Sequence, residues 1–135
     1  MLYKNIKYGL INLIKWLPVI WRDRDWDYCY IYDLLYFKFS NMEQLFDDCQ
    51  VNKKRLREIK IAKNLAKRLS AEDYLSKAIK DWSKKHKADF LSRSDNSNIA
   101  RKRIKKYCEH ADFMKQQDKE YLFNLISKRI NSWWL

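Results

Sequence analysis

The chain is poor in the residues that build turns, because its 135 residues include one glycine, Gly9, and one proline, Pro18. A β-rich fold needs glycine, proline or Asn-Gly turns between its strands, and this sequence does not supply them. Phosphate-binding loops of the Walker and dinucleotide types need several glycines at fixed spacing. The sequence therefore excludes those loops and predicts an all-α protein.

Cysteine is also scarce, since Cys29, Cys49 and Cys108 are an odd number at wide spacing. Small disulfide-stabilised domains use an even number of closely spaced cysteines, so we expect reduced, buried thiols in a cytoplasmic protein. Cys108 and His110 could contribute to a zinc site, but no paired spacing such as C-x₂-C accompanies them. We predict no metal and no cofactor.

No long hydrophobic run is present. The apolar residues 8–21 are interrupted by Lys15, and a membrane-spanning helix needs ~20 apolar residues. No small-residue cleavage site follows the run, which argues against a secretion signal. We expect a protein without a membrane partner.

Apolar residues instead recur at helical spacing and predict one domain over residues 1–135, a compact bundle of four to five helices. Helix one covers residues 3–17, and Pro18 should end or kink it. Helix two runs from about Trp26 to about Asp47 and is apolar nearly all round, which is typical of a central helix. We expect these N-terminal helices to form the core against the last helix. The apolar stripe of helix one consists of Ile6, Leu10, Leu13, Ile14 and Leu17.

The second half predicts three further helices. Helix three covers residues 51–69, and a capping box at residues 70–73 begins helix four, which continues to about Phe90. Residues 92–98 form a loop. A long C-terminal helix then covers residues 99–133, with a potential break near Gln116 and Gln117. Its predicted buried face consists of Ile104, Cys108, Ala111, Tyr121, Leu122, Leu125, Ile126 and Ile130.

Residues 21–27 form the most unusual motif, which consists of Trp21, Arg22, Asp23, Arg24, Asp25, Trp26 and Asp27. Its aspartates match the first ligands of a calcium loop, but Tyr28 and Leu34 stand where the loop needs glycine and glutamate. We interpret the motif as structural: Asp23 or Asp25 caps helix two, Arg–Asp pairs cross-link the turn, and the two tryptophans pin it.

Charge divides the chain unevenly. Residues 1–50, an aromatic core segment, hold six bases against seven acids, whereas residues 51–135 hold 23 bases against 10 acids. The basic helices cover residues 51–106, ahead of a C-terminal helix over residues 107–135. Such surfaces attract phosphates, and without a recognition-helix or RNA-module signature we expect contact with the backbone or shape of a nucleic acid. The candidate nucleic-acid or partner-binding residues are Lys53, Lys54, Arg55, Arg57, Lys60, Arg101, Lys102, Arg103, Lys105 and Lys106.

Trp133 and Trp134 are candidates for an interface, because adjacent helical side chains diverge by about 100° and cannot both face one core. We favour a C-terminal hydrophobic latch, with the second tryptophan free to anchor a partner. The alternative function is a structural or scaffold interaction module, monomeric or homodimeric, with no nucleic-acid contact. No nucleophile lies in a recognisable elbow, so we expect a non-enzymatic protein.

Residues 7–10, 16, 20–28, 34–38, 42, 118–123 and 130–134 carry a resemblance. This pattern is similar to that of a family of small bacteriophage proteins with a W-[KR]-D-R-D-W-D-[YF] motif and a terminal Trp-Trp. Family members usually end in Trp-Trp-Asp, whereas this chain ends in Trp-Trp-Leu. The resemblance implies a phage or prophage origin and, by analogy, a counter-defence role such as anti-CRISPR inhibition. The expected partner is a host defence nucleoprotein or its RNA or DNA in the host cytoplasm, or else an acidic protein groove.

Overall fold

Five helices make up the computed structural model, which describes residues 2–50, 52–87, 89–90 and 97–133. The predicted all-α bundle with a long C-terminal helix is confirmed, and no strand occurs within those residues. The last helix is unbroken at Gln116 and Gln117, and the predicted loop falls mostly outside the described residues. The helices are α1 (Leu2–Ile20), α2 (Cys29–Asp48), α3 (Lys53–Ala71), α4 (Tyr74–His86) and α5 (Ser97–Arg129), followed by a 3-10 turn (Ile130–Ser132).

The core lies where α2, α3 and α5 meet, and α3 is its most thoroughly buried element. Apolar residues three or four apart put one face of α3 inward, while its lysines and arginines occupy the other faces. α2 contributes one aromatic ring every two turns, so the predicted central position of α2 is shared with α3. The buried residues of α2 and α3 are Tyr32, Phe39, Phe46, Ile59, Ala62, Leu65, Ala66 and Leu69.

Two polar clusters fix α3 antiparallel to α5. Near the end of α3, Arg68 and Tyr74 both donate hydrogen bonds to Asp118, with Tyr74 Oη 2.7 Å from the carboxylate. Asp118 is only 5% exposed, and a buried carboxylate needs such partners to offset its desolvation. Burial and the bond to Asp118 raise the pKa of Tyr74, so its hydroxyl stays protonated and keeps donating.

The second cluster joins the start of α3 to the end of the chain. Glu58 accepts hydrogen bonds from Arg129 Nε and Trp133 Nε1, both at 3.0 Å. Burial raises the pKa of Glu58, but these donors outweigh it, and the net pKa lies below its ordinary value. Trp133 is buried and packs edge-to-face on Phe39 at 5.8 Å. The latch is confirmed for Trp133, which is therefore no exposed interface residue; Trp134 lies outside the described residues.

A third polar cluster links three elements at the turn before α4. Tyr28 Oη donates to Glu72, and Lys115 on α5 donates to both of them. Glu72 sits in a left-handed conformation with φ 47° and ends α3. Lys115, and secondly Tyr28, lower the pKa of Glu72. This cluster therefore holds the end of the residue 21–28 turn against the α3–α4 junction.

Several predicted helix ends are wrong. The capping box does not form, because Ser70 belongs to α3 and Asp73 precedes α4 without a side-chain cap bond. α2 begins at Cys29, whose backbone N–H donates a hydrogen bond to Asp27 Oδ1 at 2.9 Å. The predicted caps, Asp23 and Asp25, therefore do not cap this helix. α4 ends at His86 rather than at Phe90. Short polar side chains can bond nearby amides in several conformations, so their spacing alone does not locate a helix start.

The predicted buried face of α5 is correct only in part. Ala111 and Leu122 are buried, and Cys108, Leu125 and Ile126 are half-buried. The prediction is wrong for three residues. The exposed ones are Ile104, Tyr121 and Ile130.

Helix α1 stands apart from the core, which contradicts the prediction that helix one helps to form the core. It meets α2 near its own end, where Trp16 packs on Phe37 at 4.7 Å and Val19 O accepts from Tyr30 Oη at 2.9 Å. Val19 lies about 160° around the helix from Leu17, so the contact uses the side opposite the apolar stripe. All five stripe residues are exposed.

Pro18 does not end α1, which continues for two further residues. The ring lies in the last turn, where its missing N–H leaves only one carbonyl of the preceding turn without a helical partner. Trp21 N then bonds Leu17 O at 2.9 Å and closes the helix.

Gly9→Ala should increase the helicity of α1. A Cβ built on Gly9 meets no atom within 4 Å, and alanine stabilises an exposed helix interior by about 0.5–1 kcal/mol over glycine. Circular dichroism at 222 nm measures the gain. Asn12→Gly, about one turn away, should lower the signal, and unchanged helicity in both variants would contradict an exposed helix here.

Trp133→Ala should lower the free energy of unfolding by about 3–5 kcal/mol, because it empties a buried aromatic site. Trp133→Phe keeps the ring but loses the donor to Glu58, and should lower it by about 1.5–3 kcal/mol. Urea denaturation measures both values. Trp26→Ala is the matched control for an exposed tryptophan, and a comparable loss there would argue against the latch.

Glu72→Gln should lower the melting temperature at pH 7, because it removes the negative charge that holds Lys115. The folded pKa of Glu72 lies below its ordinary value, so its contribution is complete above the unfolded pKa of about 4.3. It is lost as the pH falls through the folded pKa. The difference in melting temperature between wild type and variant should therefore close at low pH, and a constant difference would overturn this assignment.

Candidate nucleic-acid interface

The first predicted basic tract, residues 53–60, occupies the start of α3. Lys53, Lys54 and Arg57 are exposed, and Arg55 is half-buried. Lys60 faces Glu43 on α2, with Nζ 3.9 Å from the carboxylate, and this acid also holds Lys63. Part of this tract therefore ties α3 to α2.

The second predicted tract, residues 101–106, lies near the start of α5. Arg103 differs from its neighbours, because its guanidinium stacks on Trp82 at 4.4 Å and donates to Phe90 O at 3.0 Å. Its role is structural, and the prediction that it contacts a partner has no support in its position. The other four side chains, Arg101, Lys102, Lys105 and Lys106, are exposed.

The antiparallel packing of α3 and α5 separates the two tracts. Glu58 in the first tract contacts Arg129, at the far end of α5 from Arg103. At 1.5 Å per residue, Arg103 and Arg129 are about 39 Å apart along the helix. The ten predicted residues therefore lie at opposite ends of the bundle.

The fold instead brings the end of α4 to the start of α5. Trp82 and Phe90 pack at 5.3 Å, and Phe90 packs on Tyr107 of α5 at 5.3 Å, both edge-to-face. Arg103 lies against both Trp82 and Phe90. This aromatic cluster anchors the α4–α5 corner and fixes the backbone that carries the surrounding lysines.

Eight exposed bases surround this corner and are called here the basic end: Lys80, Lys84, Lys85, Lys87, Arg101, Lys102, Lys105 and Lys106. The acids among them in the described residues are Asp81, Asp89 and Glu109, so positive charge dominates. Lys105 lies 3.9 Å from Glu109, an exposed pair one turn apart that leaves the lysine solvated. Such a surface attracts polyanions.

Four lysines were missed as site residues: Lys80, Lys84 and Lys85 of α4, and Lys87 directly after it. Their positive charge was visible in the sequence, but the predicted binding residues came from the denser runs at 53–60 and 101–106. Lys84 and Lys85 also lie in the last turn of α4, where cations stabilise a helix. The packing of Trp82 on Arg103 shows that this turn adjoins the start of α5.

The motif at residues 21–27 forms an exposed turn, and its predicted pinned structure is wrong. Trp21 and Trp26 are 79% and 81% exposed. Arg24 Nη1 donates to the carbonyl of Asp23 at 2.8 Å, and no Arg–Asp ion pair forms among the described residues of this turn. The motif therefore displays its aromatic rings instead of packing them.

Several ionisable side chains of the described residues line one cavity between α4 and α5. This cavity of about 240 Å³ is lined by His110, Asp81 and Asp118, but Asp118 is already held by Arg68 and Tyr74. Across the described ranges, no three His, Cys, Asp or Glu side chains are grouped to hold a metal. The three cysteines are free thiols, and Cys49 is exposed, contrary to the prediction that all are buried.

None of the helices in the described ranges is both long and apolar enough to cross a bilayer. In the comparisons with known proteins, no family model, no curated protein and no solved structure matches the chain. The resemblance to small bacteriophage proteins therefore stays a prediction that rests on the motif residues alone.

Proposed function

We propose that the protein is a non-enzymatic binding protein whose basic end contacts the phosphate backbone of a nucleic acid. The observation that supports it most is the cluster of eight exposed bases on one aromatic-anchored corner. Lysine and arginine side chains that neutralise phosphates release counterions, and this release drives binding without base recognition. The proposed ligand is therefore RNA or DNA, either free or in a nucleoprotein.

The placement of the bases favours the basic end over the first tract. Lys60 lies 3.9 Å from Glu43, a half-buried acid on α2, whereas Lys105 lies the same distance from Glu109, an exposed acid one turn away on its own helix. A duplex that touched both ends would have to span about 39 Å, or about 12 base pairs at 3.4 Å each. A shorter nucleic acid would contact the basic end alone.

The resemblance to bacteriophage proteins supplies the proposed setting. In that setting the nucleic acid would belong to a host defence nucleoprotein in the cytoplasm, and binding would act as a counter-defence, as anti-CRISPR inhibitors do. A basic surface also fits an acidic protein groove, and the salt dependence of binding to a pure nucleic acid separates the two partners.

Charge reversal at the basic end should abolish most nucleic-acid binding. We expect the variant Lys84→Glu, Lys85→Glu, Arg101→Glu and Lys102→Glu to lose on the order of 100-fold in affinity, because it replaces four attractive charges by repulsive ones. Fluorescence anisotropy with labelled 10-base-pair RNA and DNA duplexes measures the loss. Arg103 is kept, so the aromatic anchor stays intact.

The matched control reverses four exposed bases at the other end: Lys53→Glu, Lys54→Glu, Arg57→Glu and Lys128→Glu. It changes the net charge equally but should weaken binding by about threefold or less on the short duplex. Wild-type affinity should fall steeply between 50 and 200 mM salt. Equal losses in both variants would indicate a net-charge effect, and absent binding at low salt would reject the proposal.

A further inference from the structure

The apolar side of α1 has six residues at alternating spacings of three and four. They are Tyr3, Ile6, Leu10, Leu13, Leu17 and Ile20, and each is between 49% and 80% exposed. This spacing is the a and d pattern of helices that pack along a seam against other helices. The residues are called here the α1 seam, and the fold of a single chain leaves the whole seam uncovered.

Helix α1 also makes too few contacts with the rest of the chain to be stable by itself. Every side chain from residue 3 to residue 15 is exposed, which leaves about 20 Å of helix without a neighbour. Isolated helices of this length are marginal in water, because most helical stability comes from packing of an amphipathic face. We therefore expect the seam to pack against a partner that presents an apolar surface.

The same chain carries a suitable surface. An open apolar groove of about 450 Å³ runs between α2 and α5 and is called here the α2–α5 groove. Its walls include Leu45 and Ile130, which are exposed. Among the described residues that line the groove, Lys38 is the one that carries a charge. The main apolar lining residues are Leu35, Phe39, Met42, Leu45, Ile126 and Ile130.

The seam is long enough to fill the groove. The groove follows α2 from Leu35 to Phe46, and the four central seam residues run from Ile6 to Leu17. Each interval is 11 residues, or about 16 Å of helix. One helix seated between α2 and α5 would therefore match the groove over its full length.

The helix in the groove is not α1 of the same chain. That helix contacts α2 through Phe37 and Tyr30. Met42, on the groove side, lies about 140° around α2 from Phe37. The intact chain therefore presents an unfilled groove on one side of α2 and an uncovered seam on the other.

Charge favours the groove over a second α1 as the surface that the seam contacts. α1 carries Lys4, Lys7 and Lys15 and no acid. Lys38 is the charged residue among those that line the groove. Two α1 helices packed together would gather six lysines without a carboxylate, whereas α1 in the groove brings its three lysines to an apolar surface that has one lysine.

We propose that two copies of the chain form a symmetric dimer in which the α1 seam of each copy packs in the α2–α5 groove of the other. The two contacts are identical, as a two-fold axis requires. The basic end lies at the opposite end of α5 from Ile126 and Ile130, so the dimer leaves it free. The dimer does not depend on nucleic-acid binding.

Sedimentation velocity of the full chain over a range of concentrations tests the dimer. Leu10→Glu with Leu13→Glu should break the seam, and Leu45→Glu with Ile130→Glu should break the groove. Each pair should weaken dimerisation at least about 100-fold, because each buried aliphatic side chain contributes about tenfold or more. Phe113→Glu, at a 62% exposed site away from the groove, is the control that should still dimerise.

Mixing the two broken variants gives the sharpest result. The groove variant keeps an intact seam and the seam variant keeps an intact groove, so a mixture should form heterodimers with one of the two contacts. Neither variant should self-associate at the same concentration. Fluorescence energy transfer between labelled variants, placed at Cys49 with the other cysteines replaced by serine, detects the mixed species.

Three results would overturn the dimer. If the groove variant dimerises as well as wild type, the seams pair with each other. If mixing restores no association, the two surfaces do not meet. If the wild-type chain is monomeric at every concentration, something else covers the seam, and sedimentation with anionic phospholipid vesicles tells whether that cover is a lipid surface.

Discussion

The antiparallel cross-link between α3 and α5 is the constraint on which the rest of the arrangement depends. Glu58 with Arg129 and Trp133 fixes one end, and Arg68 with Asp118 fixes the other. In each cluster the charged pair includes a buried or half-buried carboxylate, Asp118 or Glu58. A shift of either helix by one turn would leave that carboxylate without its hydrogen-bond donors. The register of α5 thus determines which surfaces lie at each end of the bundle.

The register also explains why the two basic tracts of the sequence are separated in space. The tract at 53–60 and the tract at 101–106 point to opposite ends because α3 and α5 run in opposite directions. The α4–α5 corner, in contrast, joins residues that no single run contains, and it does so through Trp82, Phe90 and Arg103. A basic surface in a helical bundle therefore follows from helix order and direction more than from local charge density.

The sequence was sufficient for the helices and for the inward face of α3, because periodicity at 3.6 residues requires only local information. Ile59, Ala62, Ala66 and Leu69 recur at that spacing and are buried. Helix ends were harder, since Asp23, Asp25 and Ser70 are all chemically able to cap. The candidate site could not be derived, because the contact of Trp82 with Arg103 spans 21 positions and has no local signature.

Helix α1 shows a deeper limit of periodicity. An apolar stripe indicates that one face of a helix avoids water, but it does not indicate whether the covering surface belongs to the same chain. Leu10 and Leu13 have the spacing of core residues and yet lie outside the core. A face with core-like spacing, lysines on its flank and no packed neighbour has the composition of an interface, and the unfilled apolar groove between α2 and α5 is a surface of this chain that complements it.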